Sequence, residues 1–247
     1  VGSEMCIRDS ILSLKFQMGL FDDPFVDEKQ AVQLVASSEH TGLAREVARQ
    51  SIVLLKNKDK LLPLKKDIRT LAVIGPNADN VYNMLGDYTA PPADGTVVTV
   101  LDGIRQKVSK ETRVLYAKGC AVRDSSRTGF KDAIETARNA DAVVMVMGGS
   151  SARDFSSEYE ETGAAKVTIN QISDMESGEG YDRATLHLMG RQLELLEEIS
   201  RLGKPVVLVL IKGRPLLMEG AIQEAEAIVD AWYPVSYTHL RAHETLR

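Results

Sequence analysis

Cysteine, histidine and long apolar runs are all scarce in these 247 residues, and each scarcity closes off a class of protein. The two cysteines, Cys6 and Cys120, lie far apart and have no Cys or His neighbour at metal-ligand spacing, so neither a disulfide framework nor a zinc site is expected. No stretch reaches the roughly 18 to 20 consecutive apolar residues of a membrane helix, and no apolar run follows a basic segment near the N-terminus as in an export signal. Neither a metal nor a membrane partner is therefore expected. A surplus of positive charge is missing as well. Asp and Glu number 35 against 30 Lys and Arg, and the basic residues are scattered, so nucleic acid is not an expected partner.

What is present is globular. With 44% hydrophobic and 26% charged residues the chain can bury an ordinary core, in one domain or at most two. The ends are set aside from the fold. VGSEMCIRDS at 1–10 has neither helical nor strand periodicity, and VSYTHLRAHETLR at 235–247 follows directly on an apolar strand ending at Trp232. Both read as non-native tails, which removes His239 and His243 from the chemistry. Residues 11–40 read as the end of a helix stopped at Gly19, then a Pro-containing loop, and are expected to be the remnant of a preceding domain with its linker. Residues 41–234 are expected to form the main domain.

That domain opens with TGLAREVARQSIVLLKN, which places Leu43, Val47, Ile52, Leu54 and Leu55 at mostly helical spacing and predicts one amphipathic helix. Beyond Leu64 the pattern changes. Short, nearly continuous aliphatic runs occur at 71–75, 113–119, 142–149, 205–213 and 227–233, as strands buried on both faces require. Helices are predicted near Val100–Ser109, Phe130–Ala140 and Met189–Leu202. Alternating strand and helix gives an α/β fold: an open, mainly parallel sheet sandwiched between helices, with right-handed crossovers. Two connections break the rhythm, a turn-rich loop after LAVIG and a longer insertion from Ser150 to Leu188. The insertion leaves the carboxyl end of a strand, where open α/β sheets bind ligands.

Two acidic, glycine-punctuated stretches lie in the insertion, ARDFSSEYEETGAA at 152–165 and DMESGEGYDRATL at 174–186. Gly178 and Gly180 flank Glu179 and allow a sharp turn and close approach of a bulky ligand. On local pattern alone Glu176, Glu179 and Asp182 read equally well as solvated loop carboxylates. Gly148 and Gly149 are expected to permit close backbone approach. A phosphate-cradling role would need a GxGxxG, or a GxxxxGK followed by Ser or Thr, and the chain has neither. His187, beside Leu186 and Leu188, has no Ser and Asp with which to assemble a hydrolytic triad. Met145 and Met147 alternate within a strand and read as core.

The stretch SGEGYDR at 177–183, followed by the helix GRQLELLEEI at 190–199, resembles the acid/base segment of glycoside hydrolase family 3, the β-glucosidases and β-xylosidases. LKFQMGLFDDPFVD at 14–27, ARQSIVLLKNKDKLLPL at 48–64, AVIGPNAD at 72–79, GDYTAP at 86–91 and GKPVVLVLIKGRPL at 203–216 fall in the family's order. The resemblance spans Leu12 to Pro234. It implies an N-terminal barrel domain that carries an aspartate nucleophile, of which 14–27 matches only the tail. It also implies a following α/β sandwich that supplies the acid/base glutamate. The nucleophile is then absent from this chain, and the fragment alone is expected to be inactive.

Residue by residue, the resemblance puts the general acid/base on Glu179, with Glu176 as second choice three residues away. Asp182 and Arg183 match the DR pair that follows and are expected to brace the loop by an ion pair or to contact sugar directly. Arg153, Glu158 and Glu160 are candidates for outer subsites, with a solvated rim as the commoner reading of such charges. The implied function is that of a retaining, exo-acting β-glycosidase acting on terminal glucose or xylose of oligosaccharides or glycosides. No cofactor is implied, and a periplasmic or secreted location is. Alternatives are a non-catalytic, flavodoxin-like α/β ligand-binding module, or a β-N-acetylglucosaminidase of the same family. Many of those use a barrel histidine and lack the SGEG loop, so Glu179 counts against the last.

Overall fold

The structure, a computed structural model, describes residues 2–35, 37–87, 95, 97–152, 174–178 and 181–234. The chain divides into two compact units, Val1–Gly42 and Leu43–Arg247. The first holds α1 (Gly2–Gln17), a turn in which Gly19 adopts a φ of +69°, and α2 (Glu28–Leu34). Asp27 caps α2 by accepting the amides of Lys29 and Gln30. The Gly19 stop matches expectation, whereas α1 starts at Gly2, inside the stretch that has no periodicity to announce it.

α3 (Ser38–Ser51) leads from the first unit into the second, and there the sequence pattern misleads. The helix predicted through Asn57 ends at Ser51, and Val53–Asn57 forms strand β1 instead. Four consecutive aliphatic residues from Ile52 to Leu55 suit a strand as well as a helix, and periodicity alone cannot separate the two. Tertiary pairing decides. β1 runs antiparallel to the last strand with Val53 opposite Asp230 and a register shift between Leu54 and Lys56, and Lys56 Nζ donates to the carbonyls of Ile222 and Ala225.

The five predicted strands are all present: β2 (Thr70–Ile74), β3 (Arg113–Ala117), β4 (Ala142–Gly148), β5 (Val206–Ile211) and β6 (Ala227–Asp230). Their order across the sheet is β1-β6-β5-β4-β2-β3, with every pair parallel except β1 with β6. Between them lie α4 (Val81–Leu85), α5 (Val100–Lys107), α6 (Phe130–Arg138), α7 (Gln192–Ser200) and α8 (Ala221–Glu224). The three longer helices are those predicted.

Strand alternation explains the two cores. Leu71, Val73, Val144, Val146, Val207, Val209 and Val229 point to one face, where Leu101 and Ile104 of α5 cover them. Ala72, Ile74, Val143, Met145, Met147, Leu208 and Leu210 point to the other, under Ala133 and Ala137 of α6 and Leu195, Leu196 and Ile199 of α7. The methionines are core, as read. Truncating a fully buried Leu such as Leu196 to Ala would cost about 2–5 kcal/mol. The sheet is thus a rigid platform, and its carboxyl edge collects the loops after β2, β4, β5 and β6.

Candidate functional site

That carboxyl edge is unusually polar for a surface so well buried. Asn77, just after β2, donates through Nδ2 to Gly149 O at 3.0 Å, while its Oδ1 accepts from Asn83 Nδ2 at 2.7 Å. Asn83 Oδ1 in turn accepts from Ser150 Oγ at 2.6 Å. All three side chains belong to residues shielded from bulk solvent, and the network joins the loop after β2 to the start of the insertion after β4. Gln192, the first residue of α7, joins the same strand end from the other side. Its Oε1 accepts from Gly148 N and its Nε2 donates to Gly148 O, both at 2.9 Å. Gln192 thereby pairs with the last residue of β4 as a neighbouring strand would.

The insertion re-enters the described residues at Asp174. Its Oδ1 accepts the amides of Val122 and Arg123 at 2.9 and 3.4 Å, and Arg123 Nη1 donates to Met175 O at 2.8 Å. Burial, then the nearby Asp174 carboxylate, pushes the Cys120 thiol up to about 12, so this cysteine is a protonated core residue.

Glu176 follows, and its surroundings are specific. Its amide donates to Ser150 O at 2.8 Å. Its Oε2 receives Arg183 Nη1 at 2.6 Å and its Oε1 receives Ser177 Oγ at 3.1 Å. The side chains of Glu176 and Arg183 are only 1% and 3% exposed. Arg183 Nη2 also donates to His187 O. The Glu176 carboxylate rests directly on Gly149: a Cβ there would sit 1.9 Å from Oε1. Gly148 is equally crowded, since its Cβ would sit 2.0 Å from Ile211 O, so both glycines permit the close approach expected of them. Gly178 has a φ of +111°, and a Cβ at that position would meet Met175 Cε at 2.7 Å and Asp87 Oδ2 at 2.9 Å. The chain therefore turns sharply at Gly178 while pressed against the loop after β2.

The remaining strand ends complete the edge. Lys212 after β5 and Asp230 at the end of β6 form a buried ion pair at 2.6 Å, with the Lys212 ammonium 4.2 Å from the centre of the Trp232 ring. Trp232 holds a φ of +57° and donates its indole N–H to Ser51 O at 3.0 Å. The Tyr233 ring covers Gly213 and Gly86, and its hydroxyl lies 3.5 Å from Ser177 Oγ.

The residues predicted for the site distribute unevenly. Glu179, Arg153, Glu158 and Glu160 lie outside the described residues. Glu176 and Arg183 are brought together, whereas Asp182 is exposed. An ion pair does brace the loop at the DR motif, but the partner of Arg183 is Glu176. Sequence reasoning passed over Asn77, Asn83, Gln192, Lys212, Asp230 and Tyr233. For Lys212 and Asp230 a signal existed, because each is a charge ending a run of buried aliphatic residues. For the amides there was none. Among the described residues no cluster of three or more His, Cys, Asp or Glu could hold a metal ion, and no helix is long and apolar enough to cross a membrane.

These features define an open α/β domain with a polar cluster at the carboxyl edge of its sheet, the edge at which folds of this class bind ligands. The chain belongs to glycoside hydrolase family 3, since the model of the glycosyl hydrolase family 3 C-terminal domain matches residues 52–240. A β-xylosidase of Formosa agariphila is 39% identical over 231 residues, which are 90% of this chain and 28% of that protein. A periplasmic β-glucosidase of Salmonella typhimurium is 34% identical over an alignment 248 positions long that covers 90% of this chain and 29% of that protein. Among solved structures, a β-glucosidase from Erythrobacter marinus superposes with a TM-score of 0.75 at 35% identity, covering 96% of this chain and 32% of that one. The isofagomine complex of a β-glucosidase from Listeria innocua superposes with a TM-score of 0.73 at 28% identity, covering 94% and 29%. The chain thus spans less than a third of the length of these two curated relatives.

Proposed function

We propose that this chain is the acid/base-bearing part of a retaining, exo-acting β-glycosidase that removes terminal β-linked glucose or xylose from oligosaccharides or glycosides. Its domain is taken as 41–234, with 11–40 as the end of a preceding barrel and its linker. The observation that carries the reading is the anchoring of the SGEGYDR segment at the carboxyl edge of the sheet, through Glu176, Ser177, Gly178 and Arg183. Relatives named β-xylosidase and β-glucosidase support the substrate class, and the relative named periplasmic supports a location outside the cytoplasm.

In this mechanism Glu179 begins protonated. As an aspartate carboxylate from the barrel attacks the anomeric carbon, the bond to the leaving oxygen breaks and Glu179 gives that oxygen its proton. Glu179, now a carboxylate, then takes a proton from water as the water oxygen displaces the aspartate. The two carboxyl groups must stand about 5–5.5 Å apart, which requires the loop to be held firmly against the barrel. Substrates with poor leaving groups need the proton, while dinitrophenyl glycosides do not. In the chain joined to its barrel, Glu179→Ala is expected to lower kcat/KM for an alkyl β-xyloside or xylobiose by about 10²–10⁴-fold. It should leave kcat/KM for the dinitrophenyl xyloside nearly unchanged. Equal losses on both substrates would refute the assignment.

A further inference from the structure

Glu176 and Arg183 stand three residues before and four residues after Glu179, and their buried ion pair closes the segment between them into a ring. Glu176 rests on Gly149, hydrogen bonds through its amide to Ser150, and is buttressed by the Ser177 hydroxyl, so one end of the ring is fixed to the carboxyl end of β4. Arg183 reaches on to His187 O, so the other end is fixed to the approach to α7. Nothing of this kind is needed to fold a surface loop. A buried ion pair in a surface connection is weak support for stability, because desolvating both charges offsets much of their attraction. What the pair supplies is a fixed span across 176–183.

We infer that Glu176 and Arg183 are positioning residues for the acid/base: the pair sets where Glu179 stands relative to the leaving oxygen. The inference rests on the reading of Glu179 given above. It assigns Glu176, a candidate for the acid itself on sequence, to a different role, because both of its carboxylate oxygens are already taken by Arg183 and Ser177. Glu176→Gln keeps the shape of the side chain and removes the charge that holds the guanidinium. Arg183→Lys keeps the charge but replaces a fork that serves both Glu176 and His187 by a single ammonium. Either change frees the segment to shift by a fraction of an ångström or more. Misplacement of a reacting group by about 1 Å costs on the order of 100-fold in rate.

The test uses the chain joined to its barrel and compares Glu176→Gln, Arg183→Lys and Glu179→Ala on xylobiose and on a dinitrophenyl β-xyloside, with azide as an external nucleophile. For the two positioning variants the expected result is a loss of about 10 to 100-fold in kcat/KM on xylobiose. KM on the dinitrophenyl substrate should move less than twofold, its kcat/KM should hold, and azide should not restore turnover. Glu179→Ala should show the same discrimination between substrates and respond to azide. Equal losses on both substrates in the positioning variants, full activity in both, or failure of both to fold would overturn the inference and leave Glu179 standing. If azide rescues a Glu176→Ala variant run beside these three while Glu179→Ala behaves normally, the reading of Glu179 fails.

Discussion

Replacing Gly149 by alanine probes the clamp from its floor. The added methyl would lie 1.9 Å from Glu176 Oε1 and 2.8 Å from its Cδ. An ordinary contact between carbon and oxygen needs about 3.4 Å, so the carboxylate must withdraw by about 1.5 Å. Arg183 at 2.6 Å and Ser177 at 3.1 Å cannot both follow, since the Arg183 side chain is only 3% exposed and is also held at His187 O. Breaking a buried pair costs about 3–5 kcal/mol when one partner is lost, and a displaced pair should lose most of that, about 3 kcal/mol. For a domain of this size that lowers Tm by about 6–12 °C, readable by circular dichroism or calorimetry. The decisive arm is a double-mutant cycle. Glu176→Ala alone should cost about 3–5 kcal/mol by stranding Arg183, but in that background Gly149→Ala should add less than about 0.5 kcal/mol. Additive losses, or a Gly149→Ala cost below about 1 kcal/mol, would show that Glu176 does not rest on Gly149 as described.

Other outcomes follow from the same edge. Lys212→Met should destabilise by about 3–5 kcal/mol by leaving Asp230 buried and unpaired, and Asp230→Leu in the same chain should recover most of the loss in a denaturant titration. The Cys120 thiol keeps its proton in the folded chain up to about pH 12, while the unfolded chain releases it from about 9.0, so its contribution is full below pH 9 and is lost as pH rises toward 12. Stability should fall there with a component of up to about 1.4 kcal/mol per pH unit that Cys120→Ala removes, and an identical slope in the variant would contradict it. The 247-residue chain alone should give no turnover of aryl β-glucosides or β-xylosides, and robust activity would refute the need for a barrel nucleophile.

Much of the fold was legible because strands buried on both faces carry their own signature. The runs around β4 and β5 are short, nearly continuous and apolar, as strands buried on both faces require. β1 was not legible: its residues continue the helical spacing of α3, and only pairing with β6, far away in sequence, makes it a strand. The site divides in the same way. Glycines 148, 149 and 178 announced close approach, and the contacts differ at each: the Ile211 backbone at Gly148, the Glu176 carboxylate at Gly149, and the Met175 and Asp87 side chains at Gly178. The role of Glu176 could not be read, because the local pattern of an acidic loop is the same whether its carboxylates face water or an arginine seven residues on. The Lys212–Asp230 pair joins two strands whose register is invisible in the sequence, although charges ending apolar runs hinted at it. Gln192 gave no signal at all, since a glutamine opening a helix is ordinary until it is found completing a strand.

Product analysis separates most directly the proton-donor role proposed for Glu179 from the loop-holding role proposed for Glu176. When an acid/base carboxylate is removed, azide can enter the vacated space and attack the glycosyl-enzyme, giving a glycosyl azide with retained configuration. With the chain joined to its barrel and an activated aryl β-xyloside as substrate, proton NMR of the products should reveal β-xylosyl azide from Glu179→Ala and none from Glu176→Ala. Formation of the azide by Glu176→Ala, with only xylose from Glu179→Ala, would make Glu176 the acid/base and refute the role of Glu179.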